Sequence, residues 1–117
     1  MSERGRKGNV ERKRAMNPEE IEQLNGRIER VLEDVRRERL RQLGKWGDQK
    51  HSPMKWLAIA LEELGEAAKA ALEGDTEAYH KELIETAAVC IAAVEDIKRE
   101  TLPLPENWRD GDSSYGP

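Results

Sequence analysis

The chain has 117 residues, of which 37% are hydrophobic and 38% charged, with a net charge of -4 at neutral pH. That is room for one domain with a modest core, and no apolar run approaches the roughly 18 residues that a membrane span requires, so a membrane protein is excluded and a soluble one expected. The single cysteine, Cys90, cannot form an internal disulfide, and the polar, basic start carries no apolar stretch of the secretory kind; both point to a cytoplasmic setting.

Residues 1–16 hold six basic residues, Arg4, Arg6, Lys7, Arg12, Lys13 and Arg14, against Glu3 and Glu11. This reads as a solvated, disordered arm; its alternative is a contact for nucleic acid or another polyanion, which is the less expected of the two. A first helix then opens at Asn17 as N-cap, with Pro18 in its first position and Glu20 three residues after the cap. Ile21, Leu24, Ile28, Val31, Leu32 and Val35 recur at helical spacing, Leu40 and Leu43 extend the stripe, and Gly44 is the expected stop. A polar loop from Gly44 to Ser52 follows, holding Lys45, Trp46, Gly47, Asp48, Gln49, Lys50 and His51.

Ser52 and Pro53 open a second helix that should reach about Leu72 and end at Gly74. One of its faces carries Leu57, Ala60, Leu61, Leu64, Ala68 and Ala71; the other carries Trp56, Ile59, Ala67 and Ala70, interrupted by Glu63 and Glu66. Asp75 or Thr76 caps a third helix, expected to run to about Arg99, before Pro103 and Pro105 stop regular structure and leave an extended tail over 101–117. Leu83, Ile84 and the unbroken run over residues 87–94 make this third helix apolar on every side, which predicts burial. Three helices cannot enclose one of their own number, so the expected architecture is an all-α antiparallel bundle over residues 17–100, completed by association into a homodimer or homotetramer.

Glu82 and Glu85 are three apart and share a helix face, just before the apolar block, so Glu85 should be substantially buried. A buried carboxylate needs a cation opposite it, and the second helix offers none. Antiparallel packing through the short turn at Gly74 can bring Glu63 and Glu66 opposite Glu82 and Glu85. Four converging carboxylates suit a hard divalent ion, Mg2+ in the first place with Mn2+ as a substitute. The bland alternative is that all four are ordinary solvated glutamates. A di-iron carboxylate bundle is a weaker metal reading, since Glu77 and His80 supply only one of the two Glu-x-x-His pairs it needs.

The run Glu62, Glu63, Leu64, Gly65, Glu66, followed after fifteen residues by Glu82, Leu83, Ile84, Glu85, resembles the MazG-like all-alpha nucleoside triphosphate pyrophosphohydrolases. That family shows Glu-x-x-Glu, a spacer and Glu-x-x-Asp, and this chain departs at the last position, where Glu85 stands for Asp. Upstream, Glu38, Arg39, Arg41, Gln42, Lys45, Trp46, Gly47, Gln49, His51 and Trp56 resemble its phage-type branch, similar to enzymes acting on dATP and dGTP, so the likeness covers roughly residues 36–97. The resemblance implies hydrolysis of a deoxynucleoside triphosphate between its alpha and beta phosphates, with Glu63, Glu66, Glu82 and Glu85 as metal-binding and catalytic residues.

On that reading Lys45, with Lys50, Lys55 and Arg41 nearby, would meet the outer phosphates. Trp46 would stack on the base, Gln42 or Gln49 would read its edge, and His51 would belong to the same substrate site. Trp46 could equally plug the space between the first two helices. The rival function is a non-catalytic helical module that binds nucleotide or nucleic acid through the basic arm.

Overall fold

The structure, a computed structural model, describes residues 14–99, and every described element is a helix: α1 (Pro18–Trp46), α2 (Pro53–Glu73) and α3 (Thr76–Arg99). The all-α class read from the sequence is thus what forms. Residues 1–13 of the basic arm and the tail over 101–117 lie outside the described residues. No helix among the described residues is long and apolar enough to cross a membrane.

The chain divides into two units, one ending at Arg30 and the other beginning at Val31. In the first, the start of α1 is a reciprocal capping box: Glu20 N–H donates to Asn17 Oδ1 at 2.9 Å, and Asn17 N–H donates to Glu20 Oε1 at 3.0 Å. Arg14 adds a bidentate pair to the Glu20 carboxylate at 2.9 and 2.8 Å, which holds that carboxyl below its usual range.

In the second unit the end of α1 corrects the expected stop. The helix passes through Gly44 and ends two residues later, because Gly47 is the residue that takes the left-handed conformation (φ 80°), its N–H donating to Leu43 O at 2.9 Å. Lys45 and Trp46 therefore stand in the last turn of α1, outside the loop to which the sequence assigns them. Ser52 caps α2, its hydroxyl accepting from Lys55 N–H at 3.2 Å. Gly74 ends that helix with φ 73°, and Asp75 caps α3 by accepting from Ala78 N–H at 3.1 Å.

The turn at Gly74 and Asp75 folds α3 back on α2, and the two pack together. Of the two apolar faces of α2, the one that meets α3 is the face bearing Trp56, Ile59, Glu63, Ala67 and Ala70; Trp56, Val89 and Ala92 form the core there, with Ile59, Ala60 and Ala93 against it. The leucine face, Leu57, Leu61 and Leu64, is exposed. On α3, Ala88, Val89 and Ala92 are buried, whereas Cys90, Ile91 and Val94 are exposed, so the all-round burial predicted for this helix holds on one side only.

Candidate metal centre and adjoining cavity

The helix period explains which glutamates meet. Glu63 lies in the middle of the α2 face packed on α3, while Glu66, three residues on, is rotated about 60° away and is exposed. On α3, Glu82 and Glu85 continue the face that carries Ala88, Val89 and Ala92 towards the chain reversal. One carboxylate oxygen each from Glu63, Glu82 and Glu85 lies within 4.8 Å of the others. Three of the four expected acids are thus brought together, and Glu66 stands outside the group.

Packing makes this cluster expensive to ionise. The side chains of Glu82 and Glu85 are only 18% and 13% exposed. The Glu63 carboxyl is pushed up to about 7, first by its burial, then by hydrogen bonding to Glu82 and by the charges of Glu85 and Glu82. Three carboxylates this close call for a neutralising cation. Lys81 supplies a partial one: its Nζ lies 3.0 Å from Glu85 Oε2 and 4.0 Å from Glu82 Oε2. The cation that Glu85 requires thus comes from one turn earlier on the same helix, a signal present in the sequence as the i, i+4 spacing of Lys81 and Glu85. Glu82 Oε1 remains buried with no hydrogen-bond partner. An orphaned buried carboxylate oxygen, two further hard oxygen donors within reach and a surplus of negative charge fit a small divalent cation. Glu77 and His80 are both exposed and outside the cluster, which leaves the di-iron pattern without support.

The titration of Glu63 sets a sign for stability. Its folded value, about 7, lies above the ordinary 4.5, so its contribution is fully present below pH 4.5 and is lost as pH rises through 7. Solvent screening at this partly exposed site limits the loss to about 1–2 kcal/mol. Burial lowers the His51 value, with Lys55 adding to the shift and Asp96 opposing it, so His51 acts in the opposite direction. Urea unfolding in chelator at pH 5 to 8 should therefore be compared with Glu63→Gln: the parent is expected to lose stability relative to the variant as pH rises, and parallel profiles would refute the assignment.

Beside the cluster is a cavity of about 240 Å³ that shares Glu63 as a wall; Arg39, Gln42, Trp46 and Gln49 border it, and Trp56, Ile59, Val89 and Ala92 line its base. Three of the residues expected to touch substrate, Gln42, Trp46 and Gln49, thus share one cavity with an acid of the glutamate cluster. Trp46 is half-exposed at its edge, with Lys45 Nζ 4.9 Å and the Arg41 guanidinium 5.9 Å from the ring centre. It is a rim residue and not a buried plug. Lys45 and Lys55 are exposed.

His51 is buried. Its ring packs edge-on against Trp56 at 4.7 Å, and its backbone N–H donates to Asp96 Oδ2 at 3.0 Å. Trp56 Nε1 donates to the same oxygen at 2.6 Å. His51 therefore supports the cavity from beneath. The sequence reading passes over Asp96 and gives Arg39 no role beyond the resemblance: Asp96 ties the 47–52 loop and Trp56 to α3, and Arg39, buried at the cavity wall, forms a bidentate pair with Glu95 at 3.1 and 3.0 Å. A buried acid at the end of an apolar run was the available signal for Asp96.

Comparison with protein-family models, with curated proteins and with solved structures finds no match for the chain.

Proposed function

We propose that the chain is a Mg2+-dependent hydrolase of the MazG-like type, cleaving a nucleoside triphosphate, with dATP and dGTP as the expected substrates, to the monophosphate and pyrophosphate. The observation that carries the reading is the juxtaposition of the Glu63, Glu82 and Glu85 carboxylates with a cavity that shares Glu63 and is bordered by Trp46 and two glutamines. An acidic cluster alone would suit many solvated helices; what supports the reading is that Glu63 is shared between the cluster and the wall of a cavity the size of a heterocycle.

Glu63, Glu82 and Glu85 are the proposed ligands, and Glu66, exposed on the same helix, is the candidate fourth. When bound, Mg2+, or Mn2+ in its place, supplies neutralisation of phosphate charge and a lowered pKa for an attacking water. Glu63 belongs to both the carboxylate cluster and the cavity wall, which makes it the candidate general base. Trp46 offers an aromatic face for stacking, and Lys45 beside it offers a charge for the outer phosphates.

A second copy of the chain is proposed to cover the exposed leucine face of α2, since Leu57, Leu61 and Leu64 are all about half exposed or more and follow one another at helical spacing. A homodimer or homotetramer in the cytoplasm completes the reading.

The test is pyrophosphate release from each standard dNTP and NTP, with Mg2+, Mn2+ or chelator. Metal-dependent release supports the proposal, and no release from any nucleotide rejects it. Lys81→Ala is a finer check. Removing a positive charge 3.0 Å from Glu85 is expected to tighten Mg2+ binding about twofold to fivefold in a calorimetric titration. Weaker binding would show that Lys81 assists the ion instead of competing with it.

A further inference from the structure

The cavity holds two glutamines, and each is gripped from behind by a group that dictates which end of its carboxamide is left for a ligand. Gln42 Nε2 donates to Glu38 Oε2 at 3.1 Å. Arg41 clamps that carboxylate through two 2.8 Å bonds and holds its titration below the usual range, so Glu38 is ionised and can only accept. Gln42 must therefore turn its NH2 to Glu38, which leaves its carbonyl oxygen, an acceptor, for the cavity it lines.

Gln49 is held the other way. Its Oε1 lies 3.1 Å from His51 Nε2, the contact that the Nε2–H tautomer of the ring makes as donor; the Nδ1–H tautomer would turn the Gln49 NH2 to the ring instead. Protonation of the ring would preserve that direction, because both nitrogens then donate. The NH2 of Gln49 is left for the cavity, which it also lines. Two chemically identical side chains thus present opposite polarity: Glu38 on α1 imposes that of Gln42, and the tautomer of His51, in the loop before α2, sets that of Gln49.

We infer that Gln42 and Gln49 are an acceptor–donor pair that reads the edge of a purine base, with Glu38 and His51 as positioning residues that fix which glutamine plays which part. The inference rests on the nucleotide reading above and deepens it. At about 240 Å³ the cavity is smaller than the roughly 300–1,000 Å³ typical of drug-sized ligands, so it suits one heterocycle and leaves the sugar and phosphates to the rim and the acidic cluster. A 6-amino purine offers a donor at position 6 beside an acceptor at ring N1; a 6-oxo purine offers the reverse order. For a base seated in one orientation, a fixed acceptor–donor pair matches one order and opposes the other. Unmatched polar groups in a partly closed site typically cost about 1–3 kcal/mol per base contact, roughly tenfold to a hundredfold in affinity.

The experiment is equilibrium binding of dAMP and of dGMP to the full chain, followed by tryptophan fluorescence, with inorganic tripolyphosphate and Mg2+ as a probe blind to the base. The parent protein is expected to bind the two monophosphates with affinities at least about tenfold apart. Gln49→Glu, which replaces the donor by an acceptor, and Glu38→Gln, which lets Gln42 turn over, are each expected to bring the ratio within about threefold or to reverse it, with tripolyphosphate affinity reporting the part of any change that the added or lost charge causes irrespective of the base. A merely structural role for Glu38 would lower both affinities together and leave the ratio alone. Gln42→Met removes the acceptor directly and decides the matter should Glu38→Gln fail to fold. Equal binding of the two monophosphates by the parent, no binding of either, or a ratio that survives the substitutions would overturn the inference. The hydrolase reading fails on a different observation, the absence of pyrophosphate release, so the two can fall separately.

Discussion

Glu82→Gln is expected to lower metal-dependent pyrophosphate release by about 10²–10³-fold while leaving the metal-free protein as stable as the parent or more so. The two signs follow from one geometry. Glu82 contributes a buried oxygen without a partner to a group of three carboxylates, and the neighbouring Glu63 is driven up to about 7 by burial and by that company. An amide at position 82 removes one negative charge and supplies an N–H that the Glu63 carboxylate can accept, so the metal-free fold is relieved of repulsion. The same change deletes a hard anionic ligand, for which a neutral amide oxygen is a poor substitute. Activity read by pyrophosphate release and stability read by urea unfolding in chelator should thus move apart. Mg2+ should raise the unfolding midpoint of the parent by linkage and that of the variant much less. Loss of stability and activity together would make Glu82 a residue of the fold, and the proposed centre would be wrong.

How far this centre can be foreseen from sequence differs from residue to residue. Chain reversals and caps are local chemistry, and Asn17 with Glu20, Ser52 with Pro53, Gly74 and Asp75 are all legible at their positions. A short turn between α2 and α3 makes the meeting of Glu63 with Glu82 and Glu85 legible too, because antiparallel packing across a tight turn has few registers. Gly44 misleads because a glycine inside a helix costs only about 1 kcal/mol, and a long helix absorbs that when another glycine, Gly47, is better placed to take positive φ.

The two apolar faces of α2 illustrate a different limit: periodicity reports that a face is apolar but not which neighbour covers it. The Glu66 placement follows from the same ambiguity, since choosing the Trp56 face as the packed one puts Glu63 at its centre and rotates Glu66 to the outside. The polarity of Gln42 and Gln49 is not legible at all, because it depends on Glu38 and His51 through side-chain geometry that no spacing encodes.

Asp96→Ala is expected to destabilise the protein by about 3–4 kcal/mol, the largest stability effect of any single substitution near the cavity. Only 5% of Asp96 is exposed, and its Oδ2 accepts both from the His51 backbone and from the Trp56 indole, across 45 and 40 residues of sequence. Truncation to alanine strands two buried N–H donors at about 1–3 kcal/mol each and opens a cavity beneath Trp56; relief from burying a carboxylate offsets part of this. Asp96→Asn keeps the shape and one acceptor oxygen, so about half the loss is expected there.

The functional consequence is selective. Releasing His51 frees the 47–52 loop and with it Gln49, whereas Glu63, Glu82 and Glu85 make no bond to Asp96 among those described and keep their arrangement. Below the unfolding transition, Asp96→Asn should therefore weaken nucleotide binding and raise KM several-fold while the calorimetric affinity for Mg2+ alone stays within about twofold. A loss below about 1 kcal/mol on truncation, or equal damage to metal and nucleotide binding, would show that Asp96 does not hold the cavity in the way the hydrogen bonds indicate.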